Sequence, residues 1–414
     1  VLDAVYSDVW RVMLRSSVEI SKYLSPSQEL AARALWKLLP DARLVGGAVR
    51  DILLGRTIAD LDFASSYPPL KVKEIFEYSG IQIIPTGLAH GTVTALLHGV
   101  PCEITTLRRD VETDGRHAVV EWTDDWKEDA QRRDFTFNAM SCDRDGVIYD
   151  YFCGQDDLIA GRVRFVGDPE ERITEDALRI LRFFRFYGRY GRIDPDARTV
   201  KALTETSALL EGLSPERVWS EVKQIFGGPR LPDVLDLMQR CGILRRLFPD
   251  GDMSSLSWAV IHGMENAPLM RLGLLLFPEA HLIAESLRLS RAEEGVLRTM
   301  MQAPVLEPET SDADVMRALA VCDANSLIAR TWITQAERRD ERQAMWNAPR
   351  DRIVHTAVPS FPPAARDVVQ AGVAPGVKVG HMLMLLRQWW LDGGCVADAG
   401  QCLVYLQNLL KEAD

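Results

Sequence analysis

The chain lacks the features that mark several large classes of protein. No apolar run reaches the roughly 18 residues that a membrane span requires. The opening stretch from Val1 to Ile20 is interrupted by Asp8, Arg11, Arg15 and Glu19, so no signal peptide is expected either. Its seven cysteines (102, 142, 153, 241, 322, 395 and 402) are scattered, with no Cys-x-x-Cys and no histidine at zinc spacing. That excludes a disulfide framework and a structural zinc site, and it suits a reducing compartment. Excess positive charge is also missing. A net charge of −11 argues against an indiscriminate grip on nucleic acid, which is driven mainly by neutralising phosphates. An RNA partner therefore has to meet a local basic patch, for which Arg179, Arg182, Arg185, Arg189 and Arg192 are one candidate. No repeat with a period of about 20 to 50 residues and no low-complexity segment is present. A soluble, cytoplasmic protein is expected.

What is present is a chain of 414 residues, 47% hydrophobic, long enough for two to four domains at roughly 150 residues each. The first 40 residues are helical in pattern. From Ala42 to about Tyr151 the period shortens to strands, at Arg43 to Val45, Asp60 to Ala64, Ile81 to Ile84, Thr92 to Leu97, Cys102 to Leu107 and Val147 to Tyr151. Helices around 48 to 54 and 68 to 78 separate the first three, which predicts an α/β region with a mixed sheet. Beyond Gly154 strand signals nearly vanish. Helical periods then dominate from Glu175 onward, broken at Gly227-Gly228-Pro229, Phe248-Pro249, Ala303-Pro304 and Phe361-Pro362-Pro363. The polar stretch Val305 to Val315 is the best candidate for a linker.

Chemistry concentrates in the strand-rich part. Asp60 and Asp62 occupy alternate positions of one extended run, so both carboxylates can face one side and share divalent cations. Mg²⁺ takes octahedral oxygen ligands, commonly one or two carboxylates plus substrate phosphates. Glu103, on the strand Pro101 to Leu107, is placed to be a third carboxylate. Upstream, Gly46-Gly47 opens a helix whose amides, joined by Arg50, suit a polyphosphate. Arg133, in Arg132-Arg133-Asp134, is a second candidate phosphate or ribose ligand, because a guanidinium fork matches phosphate oxygens. Farther on, Asp176, Arg179, Arg182 and Arg185 recur every three residues, which would keep all four on one helix face. The same spacing fits an ion-paired helix that buries Leu178, Ile180, Leu181, Phe183 and Phe184. An aspartate accepts from an exocyclic amine and an arginine donates to ring acceptors, so Asp176 with Arg179 could also read the Watson-Crick edge of C or A.

These residues carry a resemblance. The stretches Leu44-Val-Gly-Gly-Ala-Val-Arg-Asp-Ile-Leu-Leu-Gly55, Asp60-Leu-Asp62, His90-Gly-Thr-Val93, Glu103-Ile-Thr-Thr-Leu-Arg108, Arg132-Arg-Asp-Phe-Thr-Phe-Asn-Ala139, Val166-Gly-Asp-Pro169 and Glu175-Asp-Ala-Leu-Arg179 stand in the order seen in class II tRNA nucleotidyltransferases, the CCA-adding enzymes, which this chain resembles. Weaker echoes continue in Leu213-Ser-Pro-Glu-Arg217 and from Phe361 to Trp389. The resemblance implies metal binding by Asp60 and Asp62 with Glu103 as third carboxylate, two Mg²⁺ ions, and nucleotide contacts from Gly47, Arg50, Arg133, Asp176, Arg179, Arg182 and Arg185. It implies tRNA, CTP and ATP as partners. It also makes Arg109 to Ala118 the flexible loop that such enzymes need to pass from C to A addition.

The implied fold is α+β: a polymerase-beta-like nucleotidyltransferase head (25–152), then an all-α neck (153–227), body (228–350) and tail (351–414). Lys378, Arg387, Trp389 and Trp390 are candidate tRNA contacts in that tail, although the two tryptophans suit a core better. Poly(A) polymerases of the same family typically carry a Gly-Arg-Arg-Phe-like run where this chain has Thr86-Gly-Leu-Ala-His-Gly91, so that activity ranks second. An A-adding enzyme, a CC-adding enzyme and a catalytically silent tRNA-binding protein rank behind it. None of the seven histidines is followed by Asp, so the phosphohydrolase activity of some relatives is not expected.

Overall fold

The computed structural model describes residues 16–412 apart from 89–90, 114–117 and 281. Residues up to Glu221, with Asp236–Arg246, form one compact unit, and Val222–Leu235 with Leu247–Asp414 form a second.

The first unit is built on strands β1 (Arg43–Val45), β2 (Leu61–Ser65), β3 (Ile83–Gly87), β4 (Thr92–Leu97), β5 (Val100–Thr106), β6 (Arg108–Thr113), β7 (Ala118–Trp122), β8 (Ser141–Cys142) and β9 (Ile148–Tyr149). Seven of them make one sheet in the order β3-β4-β5-β2-β1-β8-β9, with β2 and β5 parallel and the other neighbours antiparallel. The mixed sheet is as the strand periods predict. Leu61 and Phe63 of β2 are buried on one face, whereas Asp62 between them is only half-buried. This alternation sends the carboxylate to the opposite face from the core.

Helix α1 (Pro26–Leu38) covers the core face. Ser25 begins it with a capping box, its hydroxyl accepting from Gln28 N while Gln28 Oε1 accepts from Ser25 N, and Pro26 fits the first turn because no partner for its nitrogen is needed there. Trp36 packs edge-on against Phe63, with centroids 5.5 Å apart. Gln28 has a second use, since its Nε2 donates to Ile58 O (3.0 Å) and Ala59 O (3.2 Å) and so pins the chain entering Asp60 and β2. Helices α2 (Gly47–Leu53) and α3 (Pro69–Tyr78) follow β1 and β2, burying Val49, Ile52, Val72 and Phe76. Each such side chain contributes about 1.5–3 kcal/mol.

Strands β6 and β7 pair with each other as a separate antiparallel hairpin. Strand therefore replaces loop over much of Arg109 to Ala118. The charged residues of this stretch show no period-2 apolar pattern from which a strand could be predicted, and the order comes from backbone pairing between the two strands. Residues 114–117 of that stretch, and His90, lie outside the described residues.

Helices α4 (Trp126–Gln131), α5 (Gly154–Ala160), α6 (Pro169–Glu175), α7 (Leu178–Tyr190), α8 (Ala197–Glu205) and α9 (Pro215–Phe226) complete the unit, the last through Glu221. The expected continuous helix from Glu175 to Arg185 is in fact two helices. Asp176 stands between them in an extended conformation (φ −152°, ψ 104°), and its carboxylate accepts from Leu178 N at 3.1 Å. A short side chain that satisfies a free amide at a helix start favours a break at that point. Arg179, Arg182 and Arg185 do share α7, but Asp176 precedes it. The opposite face of α7 is aromatic. Phe135 packs on Phe165 (4.9 Å) and Phe186 (5.2 Å), and Phe137 on Phe186 (5.4 Å) and Tyr190 (5.8 Å), which locks the segment Asp134–Asn138 against α7.

Among its described residues the second unit has helices and no strand. The stretch expected to be a linker is part of its core: Leu306 and Val315 are buried in one apolar cluster with Leu319, Leu327 and Ile353. Arg338 pairs with Glu307 at 2.7 Å, and Arg352 donates to Thr310 O at 2.5 Å. A run of polar residues there tracks its solvent face, not its mobility. Near the C-terminus Trp390 is buried, donating from Nε1 to Ala397 O (3.1 Å) and packing on Phe361, as its core reading expects. Trp389 is half-buried and stacks on Tyr405 at 4.4 Å. Lys378 and Arg387 are exposed, the latter donating to Ala320 O. Among the described residues no helix is long and apolar enough to cross a membrane.

Candidate active site

Two features of the first unit come together. The first is an acidic face. Parallel pairing of β2 with β5 sets Asp62 directly beside Glu103, and cross-strand partners project to the same side of a sheet. Asp60 sits at the bend just before β2, exposed. Burial, the Glu103 carboxylate and the Asp60 carboxylate, in that order, push Asp62 up to about 6, against a smaller opposing pull from Arg133. Among the described residues none of the three carboxylates is taken up in an ion pair. Such unspent, mutually repelling oxygens fit a hard divalent cation. Among the same residues, no three or more His, Cys, Asp or Glu side chains close into a group that could hold an ion alone. The fit is that of a shared site, in which protein carboxylates supply part of the coordination and substrate phosphates and water the rest.

The second feature is a cleft of 530 Å³ lined by Gly46, Gly47, Arg50, Arg132, Arg133, Asp134, Asn138, Asp176, Leu178, Arg179, Arg182, Arg185, Phe186 and Arg217. Every nucleotide-contact residue singled out in the sequence, namely Gly47, Arg50, Arg133, Asp176, Arg179, Arg182 and Arg185, lies on this one wall system. Arg133 joins the two features, since its charge reaches Asp62.

Each arginine is held by a different element. Gly46 turns the chain from β1 into α2 at φ 60°, ψ −116°, a conformation that side chains avoid. This aims α2 so that Arg50 donates to Asn138 Oδ1 (2.5 Å) and to the Tyr190 hydroxyl (2.9 Å). Both partners are neutral, so the Arg50 charge stays available. Arg133 donates through Nε and Nη2 to Asp129 Oδ2 (3.2 and 3.0 Å). Burial would raise the Asp129 carboxyl, but the Arg133 and Arg132 guanidiniums outweigh it and hold the group below the usual carboxylate range. Arg179 has three separate partners: Nη1 donates to Arg172 O (2.8 Å) and Glu175 Oε2 (2.6 Å), and Nη2 to Arg132 O (2.8 Å).

Arg182 grips the buried Asp134, whose other oxygen accepts from Asn138 Nδ2 and Phe135 N. Burial is again outweighed there, by Arg182, so Asp134 stays ionised to below its ordinary range. Arg185 lies 2.8 Å from Glu221 of α9. Burial pushes the Glu221 carboxyl up and the Arg185 guanidinium down, the mark of a pair whose desolvation is not fully offset. Of the five arginines read as a basic patch from sequence, Arg179, Arg182 and Arg185 therefore line the cleft, while Arg189 and Arg192 are exposed.

Sequence reasoning misses several members. Asn138 and Asp134 stand in the matching stretch Arg132 to Ala139 with no role assigned from sequence, yet they bridge Arg50 to Arg182. Arg217 reaches from α9 to both oxygens of Asp176 at 3.0 Å, and Glu221 one turn later meets Arg185. Their signal is the four-residue spacing of Arg217 and Glu221, which puts both on one face of α9. Glu175, a motif residue with no role assigned from sequence, orients Arg179. Seven arginines line the cleft against five carboxylates in contact with them, Asp129, Asp134, Glu175, Asp176 and Glu221. A surplus of positive charge remains for an anionic ligand.

Comparison with known proteins gives matches to two family models, one described as the poly A polymerase head domain over residues 42–164 and one as a probable RNA and SrmB-binding site of polymerase A over 193–254. The zebrafish (Danio rerio) mitochondrial CCA tRNA nucleotidyltransferase 1 is 36% identical, over 84% of this chain and 83% of its own length. The human protein of the same name is 34% identical over 89% and 87%. Among solved structures, the Bacillus stearothermophilus CCA-adding enzyme in complex with CTP superposes with a TM-score of 0.72 at 25% identity, covering 94% of this chain and 99% of that one. The Thermotoga maritima CCA-adding enzyme complexed with tRNA shares the fold at a TM-score of 0.65 and 21% identity, over 96% and 100%.

Proposed function

Because this chain belongs to the family of CCA tRNA nucleotidyltransferases, we propose that it adds C, C and A to the 3′ end of tRNA from CTP and ATP, releasing pyrophosphate and using no nucleic-acid template. The observation that carries this reading is that one compact unit holds the Asp62–Glu103 pair on adjacent parallel strands together with a cleft lined by seven arginines.

In this reading Asp60, Asp62 and Glu103 hold two Mg²⁺ ions. When bound, the ions lower the pKa of the attacking 3′-hydroxyl and neutralise charge on the leaving pyrophosphate. Gly47, Arg50 and Arg133 receive the triphosphate, Arg50 from a side chain already fixed by Asn138 and Tyr190, so little ordering remains to be done on binding. Asp176 accepts from the 4-amino group of C or the 6-amino group of A. Arg179 keeps its Nε–H and one Nη2–H beyond the three bonds described, enough to donate to a ring acceptor. U and G present a carbonyl toward Asp176 and are repelled. Arg182 and Arg185 form the floor beneath, held by Asp134 and Glu221.

We divide the chain into head (25–152), neck (153–227), body (228–350) and tail (351–414), with Lys378, Arg387 and Trp389 as tRNA contacts on the tail. RNA helices are recognised there by shape and phosphates. The work is assigned to a reducing, cytoplasm-like compartment, supported by seven free cysteines.

The test is a length ladder on a tRNA ending before its CCA, with CTP alone, ATP alone and both. The reading expects two added residues with CTP and three with both. A long A tail on a generic RNA would mean a poly(A) polymerase, and A added only to a CC-ended tRNA would mean an A-adding enzyme. No incorporation at any Mg²⁺ concentration would mean a silent binder.

A further inference from the structure

One buried carboxylate that takes no part in the chemistry above ties two arginines of the cleft to the neighbouring hairpin. Asp129, on α4, is 3% exposed and divides its two oxygens. Oδ1 accepts from Arg108 N (3.3 Å), the first residue of the β6–β7 hairpin, and from Arg132 Nε and Nη2 (3.0 and 2.7 Å). Oδ2 accepts from Arg133 Nε and Nη2. Arg132 closes a second loop, because its Nε also donates to Arg108 O (3.1 Å) and its own carbonyl accepts from Arg179 Nη2 (2.8 Å). The hairpin root and two cleft arginines, Arg132 and Arg133, thus meet at the Asp129 side chain, and the arginine of α7 joins them through the Arg132 carbonyl.

The second strand is seated at the same root, where Trp122 is the register partner of Arg108. A Cβ at Gly91 would come within 2.6 Å of the Trp122 ring, so Trp122 packs directly on that backbone, and Arg109 clamps across the pair to Glu121 (2.5 Å).

We propose that Asp129 is a positioning residue, which sets the Arg133 guanidinium for the incoming nucleotide and couples it to the root of the β6–β7 hairpin. The proposal rests on the nucleotide-transfer reading. A buried carboxylate split between two guanidiniums fixes both in direction, and Asn in its place can accept through only one oxygen while turning two N–H donors toward an arginine. Coupling is reciprocal: if the seated hairpin root favours the bound position of Arg133, nucleotide on Arg133 favours the seated root.

The experiment compares wild type, Asp129→Asn, Arg133→Ala and the double variant. The first readout is kcat and KM for CTP and ATP on a CCA-less tRNA. The second is the rate of tryptic cleavage after Arg109 with and without CTP. Expected are a KM raised about tenfold for both nucleotides in Asp129→Asn with kcat changed less than about threefold, a double variant no worse than Arg133→Ala, and CTP protection of the Arg109 site in wild type that disappears in Asp129→Asn. Additive losses, or protection that survives the substitution, overturn the proposal. If Asp129→Asn does not fold, Arg132→Gln is read instead. It removes the Arg132 branch of the link to the hairpin root and leaves the Asp129–Arg133 pair and the Arg108 N bond, so CTP protection must fall well below that of wild type, and protection equal to wild type overturns the coupling. Wild type that incorporates neither nucleotide overturns the nucleotide-transfer reading itself, and it does so without any substitution.

Discussion

Asp62 and Glu103 are register partners on two parallel strands, and Asp62 carries the cost: its carboxyl is pushed up to about 6 by burial, then by Glu103 and Asp60. A raised carboxyl favours the protonated form of the folded, metal-free protein. That contribution to stability is fully present below pH 3.8 and is lost as the pH rises through about 6. A divalent cation needs the ionised form. The Mg²⁺-induced rise in the thermal midpoint should therefore be larger at about pH 7.5 than at about pH 5, measured against a chelator control. An equal rise at both would remove Asp62 from the metal site.

Glu175 orients Arg179 without facing the ligand. Glu175→Gln keeps the shape and loses the charge-assisted bond at 2.6 Å, which is worth about 1.5–3 kcal/mol. Discrimination of CTP and ATP against UTP and GTP should fall by about tenfold or more, with smaller change in the rate for the correct nucleotide. Competition assays with mixed nucleotides report it directly.

Asn138 is the joint between Arg50 and Asp134. Asn138→Ala leaves the half-buried Arg50 and the buried Asp134 each short of one partner, a loss of about 1–3 kcal/mol. The expected result is a KM for both nucleotides raised about tenfold together with a lower thermal midpoint of the first unit. Loss of stability with an unchanged KM would make the joint structural only.

Gly46 holds a positive φ at the entry to α2, and Arg133 Nη1 lies 3.5 Å from where its Cβ would be. Gly46→Ala should cost about 1–3 kcal/mol, read as a lower unfolding midpoint, and should weaken nucleotide binding because α2 carries Arg50.

The catalytic half is legible in sequence because its chemistry is local there. Alternate residues of an extended run share a face, and β5 is recognisable from its own pattern, so Asp60, Asp62 and Glu103 can be grouped without the sheet order, although the strand itself starts at Leu61 and leaves Asp60 at the bend before it. The arginines of α7 are legible by helical spacing. What escapes is set by packing. Asp176 looks like a helical residue because its spacing to Arg179 is right, and only the bond to Leu178 N shows the break. Asn138 and Glu221 act through partners tens of residues away, which no local period reports, and the same holds for the tie of Asp129 to Arg108, although its arginine partners stand three and four residues on. The polar run at 305–315 misleads for a related reason: charged residues there pair with Arg338 and Arg352, while Leu306 and Val315 reach the core.

The central claim is that the acidic face does chemistry and is not scaffolding, and Asp60→Ala tests it most directly because Asp60 is exposed and its loss should leave the fold intact. Single-turnover incorporation of CMP onto a CCA-less tRNA and the affinity for that tRNA are measured side by side on the same preparation. Incorporation should fall by at least about 10³-fold while the tRNA dissociation constant stays within about threefold. Incorporation that survives the substitution, or tRNA binding that is lost with it, would contradict the account.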